Sequence, residues 1–203
     1  MLPAPKFGKS LSFAMAMRKR QTVREIGDKK ITLQMLSNVL WAAGGVNRKK
    51  GPFGIAGRTA GSASNSQEID VYVALAVGAY RYEPKSHSLN PILDEDIRVL
   101  AIGPGQGRAG ATAPVRFIYV VDIDKFKNAG FKEPGLYDKE IQKSYYFVDT
   151  GLIAQNVYLA ASSQGLSAWF HNCNKEGLAT KLTLGKQQRP LFGQTIGYPR
   201  KID

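Results

Sequence analysis

A single cysteine, Cys173, in 203 residues excludes an internal disulfide and a cysteine-built metal site. Histidine is almost as scarce. His87 and His171 lie far apart in the sequence, which argues against a zinc or iron centre. No long, unbroken apolar run is present either. The most apolar stretch, residues 145–165, is interrupted by Asp149, Gln155, Asn156 and a Ser-Ser pair, where a bilayer asks for about 20 apolar residues. A targeting segment is also lacking: residues 1–17 are mildly apolar but contain Lys6 and Lys9 and no long apolar core. The expected location is cytoplasmic, with an upstream leader left open. Acidic residues are few, 16 against 28 Lys and Arg, for a net charge of +12. That excess favours an anionic partner, whether nucleic acid, a phosphate-bearing cofactor or a nicotinamide dinucleotide.

What is present suits one globular domain over residues 1–203. The chain is 43% hydrophobic and 22% charged, enough to build a sizeable core. Residues 145–165 read as its central helix, apolar on several sides and stopped by Gly165. Such a helix is covered by its own domain or by a second copy of the chain. Residues 10–19 and 31–43 read as further helices, the second with Thr32 as N-cap and Leu33, Leu36, Val39, Leu40 and Ala43 on its buried face. Residues 94–101 and 175–182 read as short helices. Residues 46–57 read as a loop. Strands are expected at 69–77, 80–83, 115–122, 166–170 and 192–196, with a turn at Gly78-Ala79. His87 falls in a second turn and is expected to be exposed. The fold class is α+β, a mostly antiparallel sheet between helices.

Two segments carry candidate chemistry. Residues 18–24 form a basic cluster that includes Arg20 and Arg24, and guanidinium groups suit phosphate because they donate in a planar fork. Residues 58–67 contain small and hydroxyl side chains with amides at Asn65 and Gln67, which suits close approach to the polar edge of a flat heterocycle. Taken singly, a solvated basic turn and a Ser/Asn-rich surface loop explain them as well. The glycines of Gly103-Pro104-Gly105-Gln106-Gly107 do not make a dinucleotide-binding turn, because no βαβ unit surrounds them and Pro104 breaks the passage into a helix.

In order along the chain, four segments resemble the flavin-dependent nitroreductase family: Arg20-Gln21-Thr22-Val23-Arg24, Gly61-Ser62-Ala63-Ser64-Asn65-Ser66-Gln67, the helix with Gln155-Asn156-Val157-Tyr158-Leu159-Ala160-Ala161 followed by Gly165-Leu166, and Gly193-Gln194-Thr195-Ile196-Gly197-Tyr198-Pro199-Arg200. Each is weak alone, but together they span about residues 18–201. The second is most similar to the branch that contains the SagB-type dehydrogenases. The resemblance implies FMN bound at the interface of an intertwined homodimer. It implies that Arg20, Gln21 and Arg24 hold the phosphate and ribityl chain, and that Arg200 and Lys201 close on the phosphate. Ser62, Ala63, Asn65 and Gln67 would reach the flavin from the other subunit, and the backbone near Asn172 and Cys173 would pass its N5 edge. Gln106 and Arg108 fall in a further loop of the same kind. Gly61, Ala63 and Asn172 depart from the family's usual Pro, Ser and Glu.

The implied reaction takes a hydride from NADH or NADPH through flavin N5 to a small-molecule acceptor such as a nitroaromatic or quinone, with no catalytic side chain. One alternative is a flavin-dependent dehydrogenase of a peptide-derived heterocycle. Others are a flavin-binding protein without turnover and a basic nucleic-acid-binding protein. The aromatics argue against the last, since they lie in apolar segments rather than between Lys and Arg on one face. No nucleic acid and no membrane are expected as partners.

Overall fold

In the computed structural model, residues 1–8, 11–105 and 113–200 are described. Among them run, in order, α1 (Phe13–Lys19), α2 (Leu33–Gly44), β1 (Val46–Arg48), β2 (Gly57–Arg58), β3 (Ile69–Leu75), β4 (Gly78–Glu83), β5 (Ser88–Leu93), β6 (Val115–Asp122), α3 (Lys139–Ser163), β7 (Ser167–His171), α4 (Lys175–Lys181) and β8 (Gln188–Gly197). Six strands form one sheet in the order β5-β4-β3-β6-β8-β7, every neighbouring pair antiparallel. The α+β class and the antiparallel sheet agree with the sequence.

β6 lies in the middle of that sheet because its sequence, VRFIYVVD, is apolar at almost every position. Alternate residues point to opposite faces, so such a strand must be covered on both. Phe117, Tyr119 and Val121 join Val71 and Val73 in a core closed by α2 and α3. Ile118 and Val120 join Tyr72 and Ala74 in a second core, closed by Ile97, Cys173, Leu178 and Leu182. α2 starts where Thr32 accepts a hydrogen bond from the Met35 amide at 3.2 Å.

α3 is longer than its apolar pattern. Asp138 caps it by accepting from the amides of Glu140 and Ile141. Its first turns are polar and exposed, so they gave no apolar signal. Its burial is one-sided: Tyr146, Ile153, Ala154 and Val157 are buried, whereas Val148 is 60% and Leu152 47% exposed.

Five expectations need correction. Leu33, expected on the buried face of α2, is 57% exposed, because it opens the helix ahead of the turns that pack on the sheet. Residues 94–101 form turns, not a helix, because Asp96 takes both the amide and the guanidinium of Arg98 and holds the backbone in i→i+3 turns. The first hairpin turns at Ala76-Val77. Gly78 opens β4 at φ +147°, with the Leu93 carbonyl so close that a Cβ would sit 2.6 Å from it. His87 is not an exposed turn residue. Its Nε2 is 2.7 Å from Ser37 Oγ and its Nδ1 2.8 Å from Tyr82 OH, pinning the N-terminal segment through Pro3. Finally, the segment expected as a loop at 46–57 contains β1, which pairs with β2.

Candidate functional site

The first and last motifs meet at the β7 edge of the sheet. Thr22 bridges to Ala168, and the Val23 amide donates to the Ala168 carbonyl at 3.1 Å. Ile26 bridges to Pro199, and the Arg200 amide donates to the Glu25 carbonyl at 2.8 Å. This lacing gathers cations. The Arg20 guanidinium stands 5.5 Å over the Tyr158 ring, Arg24 6.0 Å over Trp169, and the Lys29 ammonium 4.4 Å over Tyr198. Among the described residues, neither Arg20, Arg24 nor Arg200 forms an ion pair, so their charge is open to an anion. Gln21 sits exposed between them. A cleft of about 510 Å³ lies alongside, lined by Gly27, Lys29, Gly165, Tyr198 and Arg200. Lys201, Gln106 and Arg108 lie outside the described residues.

Residues 61–67 form a tight polar knot. Ser62 Oγ accepts from the Gln67 amide at 3.0 Å, and the Gln67 side-chain NH₂ donates to Asn65 Oδ1 at 2.9 Å and to the Ala56 carbonyl at 2.7 Å. The Ala63 amide donates to Asp149 Oδ2 at 2.9 Å. Ser64, Asn65 and Gln67 have φ of 48°, 55° and 54°, a left-handed conformation that side chains resist and that clusters at binding sites. Asn65 Nδ2 is buried with no acceptor, and such an orphaned donor is costly unless a ligand meets it.

After β7, Asn172 is exposed, and its Oδ1 accepts from the Cys173 amide at 3.0 Å. His171 holds the Asn172 carbonyl through Nδ1–H at 2.8 Å, while its Nε2 accepts from Thr195 Oγ1 at 2.8 Å. Burial keeps His171 neutral, with its pKa lowered to about 4. The Cys173 thiol points into the second core, and burial raises its pKa to about 11. It is no nucleophile at neutral pH.

The chain thus brings the segments that carry Arg20, Arg24 and Arg200 to one sheet edge, with Asn172 following the strand to which they are laced. It does not bring the 61–67 loop to them. α3 separates the two groups. Asp149 and Asn156, two turns apart on one face, hold Ala63 and the Thr59 carbonyl. Tyr158 faces the other group, its hydroxyl 3.1 Å from Thr22 Oγ1 and accepting from the Phe170 amide at 2.8 Å. From Asp149 to Tyr158 is two and a half turns, which is the opposite face and about 13 Å along the axis.

The nitroreductase family profile matches residues 17–198. The chain belongs to the nitroreductase family. A Methanocaldococcus jannaschii protein that carries the name nitroreductase is 30% identical over 201 residues, covering 91% of this chain and 89% of its own. A crystal structure of a Ralstonia eutropha protein, likewise named a nitroreductase, superposes with a TM-score of 0.85 at 31% identity, covering 99% of this chain and 89% of that one. A chain of the E. coli microcin synthetase complex with truncated pro-MccB17 bound has the same fold, at a TM-score of 0.74 and 18% identity, with 99% and 78% of the two chains covered.

Membership supports a general oxidoreductase role. Among the described residues, no helix is long and apolar enough to cross a membrane. Motif reading missed three residues beside these groups. Lys29 lies just beyond the first motif, and its signal was the continued basic run. Glu68 follows Gln67 directly, and Asp149 is the one acid inside an apolar stretch of α3. A carboxylate placed where burial is forced is itself the signal that could have found both.

Proposed function

We propose that the protein is an FMN-dependent oxidoreductase, reduced by NADH or NADPH, working as an intertwined homodimer on an electron-poor small molecule such as a nitroaromatic or a quinone. The observation that carries this reading is the division of the motifs across α3. Uncompensated arginines lie on one side, and a strained amide loop with an orphaned donor lies on the other. Neither half makes a flavin site alone, and a second copy offers each half its complement.

The residues fit FMN. Arg20, Arg24 and Arg200 would hold its phosphate through charge-assisted hydrogen bonds, with Gln21 beside the ribityl chain and Lys201 as a further cation. Ser62, Ala63, Asn65 and Gln67 of the other subunit would meet the isoalloxazine edge, with Asn65 Nδ2 supplying the free donor. The backbone at Asn172 and Cys173 would border the flavin. When bound, FMN supplies the hydride chemistry. The chain orients it and balances the phosphate charge, and no side chain has to act as acid, base or nucleophile.

α3 also offers the dimer surface. Ile141, Val148 and Leu152 are 41%, 60% and 47% exposed, with half-buried Tyr145 between them. Steps of four, three and four residues place them in one seam, the spacing along which two helices pack. Permanent dimers of this kind bury more than ~2,000 Å².

The test is optical. Purified protein should show oxidised-flavin absorbance that NADH or NADPH bleaches under anaerobic conditions and that a quinone restores. Protein that takes up no FMN when supplied with it would overturn the reading.

A further inference from the structure

Glu68 joins the 61–67 loop to β3 and has no exposed surface. Ser66 Oγ donates to its Oε2 at 2.6 Å, while its Oε1 meets no donor. Opposite it on α3 is Asp149, 4% exposed, whose Oδ2 receives the Ala63 amide. The two carboxyl groups are near enough that the Asp149 charge disfavours ionisation of Glu68. They border a small cavity of about 20 Å³ shared with Arg58, Ser62 and Gln67. Two carboxylates this close and this buried do not both ionise. A proton on Glu68 Oε1 makes the unpartnered oxygen a donor to Asp149, and both groups are then satisfied.

The surrounding charges do not undo this. From β2 comes half-buried Arg58, whose strongest anionic neighbour is Asp70, with Tyr82, Glu83 and Glu68 following in that order. Asp70 is also paired with Lys125 Nζ at 2.6 Å. Tyr82 of β4 is neutral, its pKa raised by burial. Burial raises the Asp149 pKa too, but the Ala63 amide favours its ionised form, which leaves Glu68 the better holder of the shared proton.

We propose that Glu68 and Asp149 are positioning residues for the flavin: one proton held between them keeps Asp149 in place as acceptor for the Ala63 amide, and so sets the 61–67 loop in its strained conformation. This rests on the reading of that loop as a flavin contact. Burial first, and then the Asp149 charge, raise the Glu68 pKa to about 7. Below that pH the pair keeps its proton. Above it a second negative charge forms in the closed site, the Asp149–Ala63 tie loosens, and flavin affinity falls.

The experiment is an FMN titration of the flavin-free full chain from pH 7 to 9, on wild type, Glu68→Gln and Asp149→Asn. The Ala63 amide shift is followed by NMR over the same range without FMN. Glu68→Gln keeps the donor to Asp149 and the acceptor for Ser66 but cannot ionise. It serves as the baseline for titration of the FMN phosphate itself. Relative to that baseline, the wild-type Kd should rise about 10- to 100-fold by pH 9, the range set by titrating one group up to two pH units past its midpoint. Asp149→Asn keeps an acceptor for Ala63 without the second charge, so its Kd should show no such rise. The Ala63 amide should titrate near pH 7 in wild type and stay flat in Glu68→Gln. An Ala63 amide that is flat in wild type would overturn the shared proton. One that titrates while the FMN Kd follows the Glu68→Gln baseline would overturn the flavin-positioning role, whereas an FMN Kd unchanged by Asn65→Ala would overturn the loop's assignment to the flavin.

Discussion

Leu152→Glu should dissolve the dimer and release the flavin together. Leu152 is 47% exposed in the single chain, and full burial of a leucine contributes about 1.5–3 kcal/mol, so covering its exposed half is worth about 1 kcal/mol. A two-fold interface counts the change twice, for about 2 kcal/mol. Each copy would also place an unpaired carboxylate in an apolar seam, at a further penalty of several kcal/mol. The sum is at least about 4 kcal/mol, or roughly a thousandfold in the dimer dissociation constant. Light scattering at low micromolar concentration, read alongside flavin absorbance, measures both quantities, and circular dichroism checks that the chain is still folded. Val99→Glu, at a site 74% exposed on the turn segment away from α3, is the control and should leave both unchanged. A Leu152→Glu protein that stays dimeric and yellow would refute the reasoning from the α3 seam.

Arg20→Ala and Arg200→Ala should each raise the FMN Kd roughly 10- to 150-fold, equivalent to about 1.5–3 kcal/mol for a hydrogen bond to a charged group, while Lys49→Ala does not. Equal flavin fluorescence titrations for all three would remove the phosphate assignment. Stability should depend on pH through Glu68, whose pKa is raised from an ordinary 4.5 to about 7. The folded chain then holds a proton the unfolded chain lacks, so stability falls as pH rises between those values, at ~1.4 kcal/mol per pH unit. Glu68→Gln escapes this loss. In urea unfolding of flavin-free protein it should be about 3 kcal/mol more stable than wild type at pH 8 and about equal near pH 4.5. A difference that does not change with pH would contradict the assignment.

Much of this architecture is legible in the sequence, because it follows from patterns that act locally. VRFIYVVD at 115–122 is apolar at nearly every position and became the doubly covered β6 with the same bounds. Thr32 before an amphipathic run became the N-cap of α2. Where tertiary contacts decide, the pattern misled. The 94–101 turn depends on Asp96 gripping Arg98, which periodicity does not register. His87 is held by Ser37, fifty residues earlier in the chain. Motif order singled out the arginines and the 61–67 loop as candidates. Their placement on opposite faces of α3 required the fold. So did the pairing of Glu68 with Asp149, two residues far apart in the chain that lie outside the motifs and hold the 61–67 loop through Ala63 and Ser66.

The central claim is that one flavin site draws on two subunits, and subunit complementation tests it most directly. Arg20→Ala and Asn65→Ala, each expressed alone, should give dimers that retain little FMN. Co-expressed with separate tags and purified as the mixed dimer, they should hold close to one tightly bound FMN per dimer. One site of that dimer carries both substitutions and the other carries neither. A mixed dimer that retains no more flavin than either parent would place Arg20 and Asn65 in the same subunit's site and contradict the account.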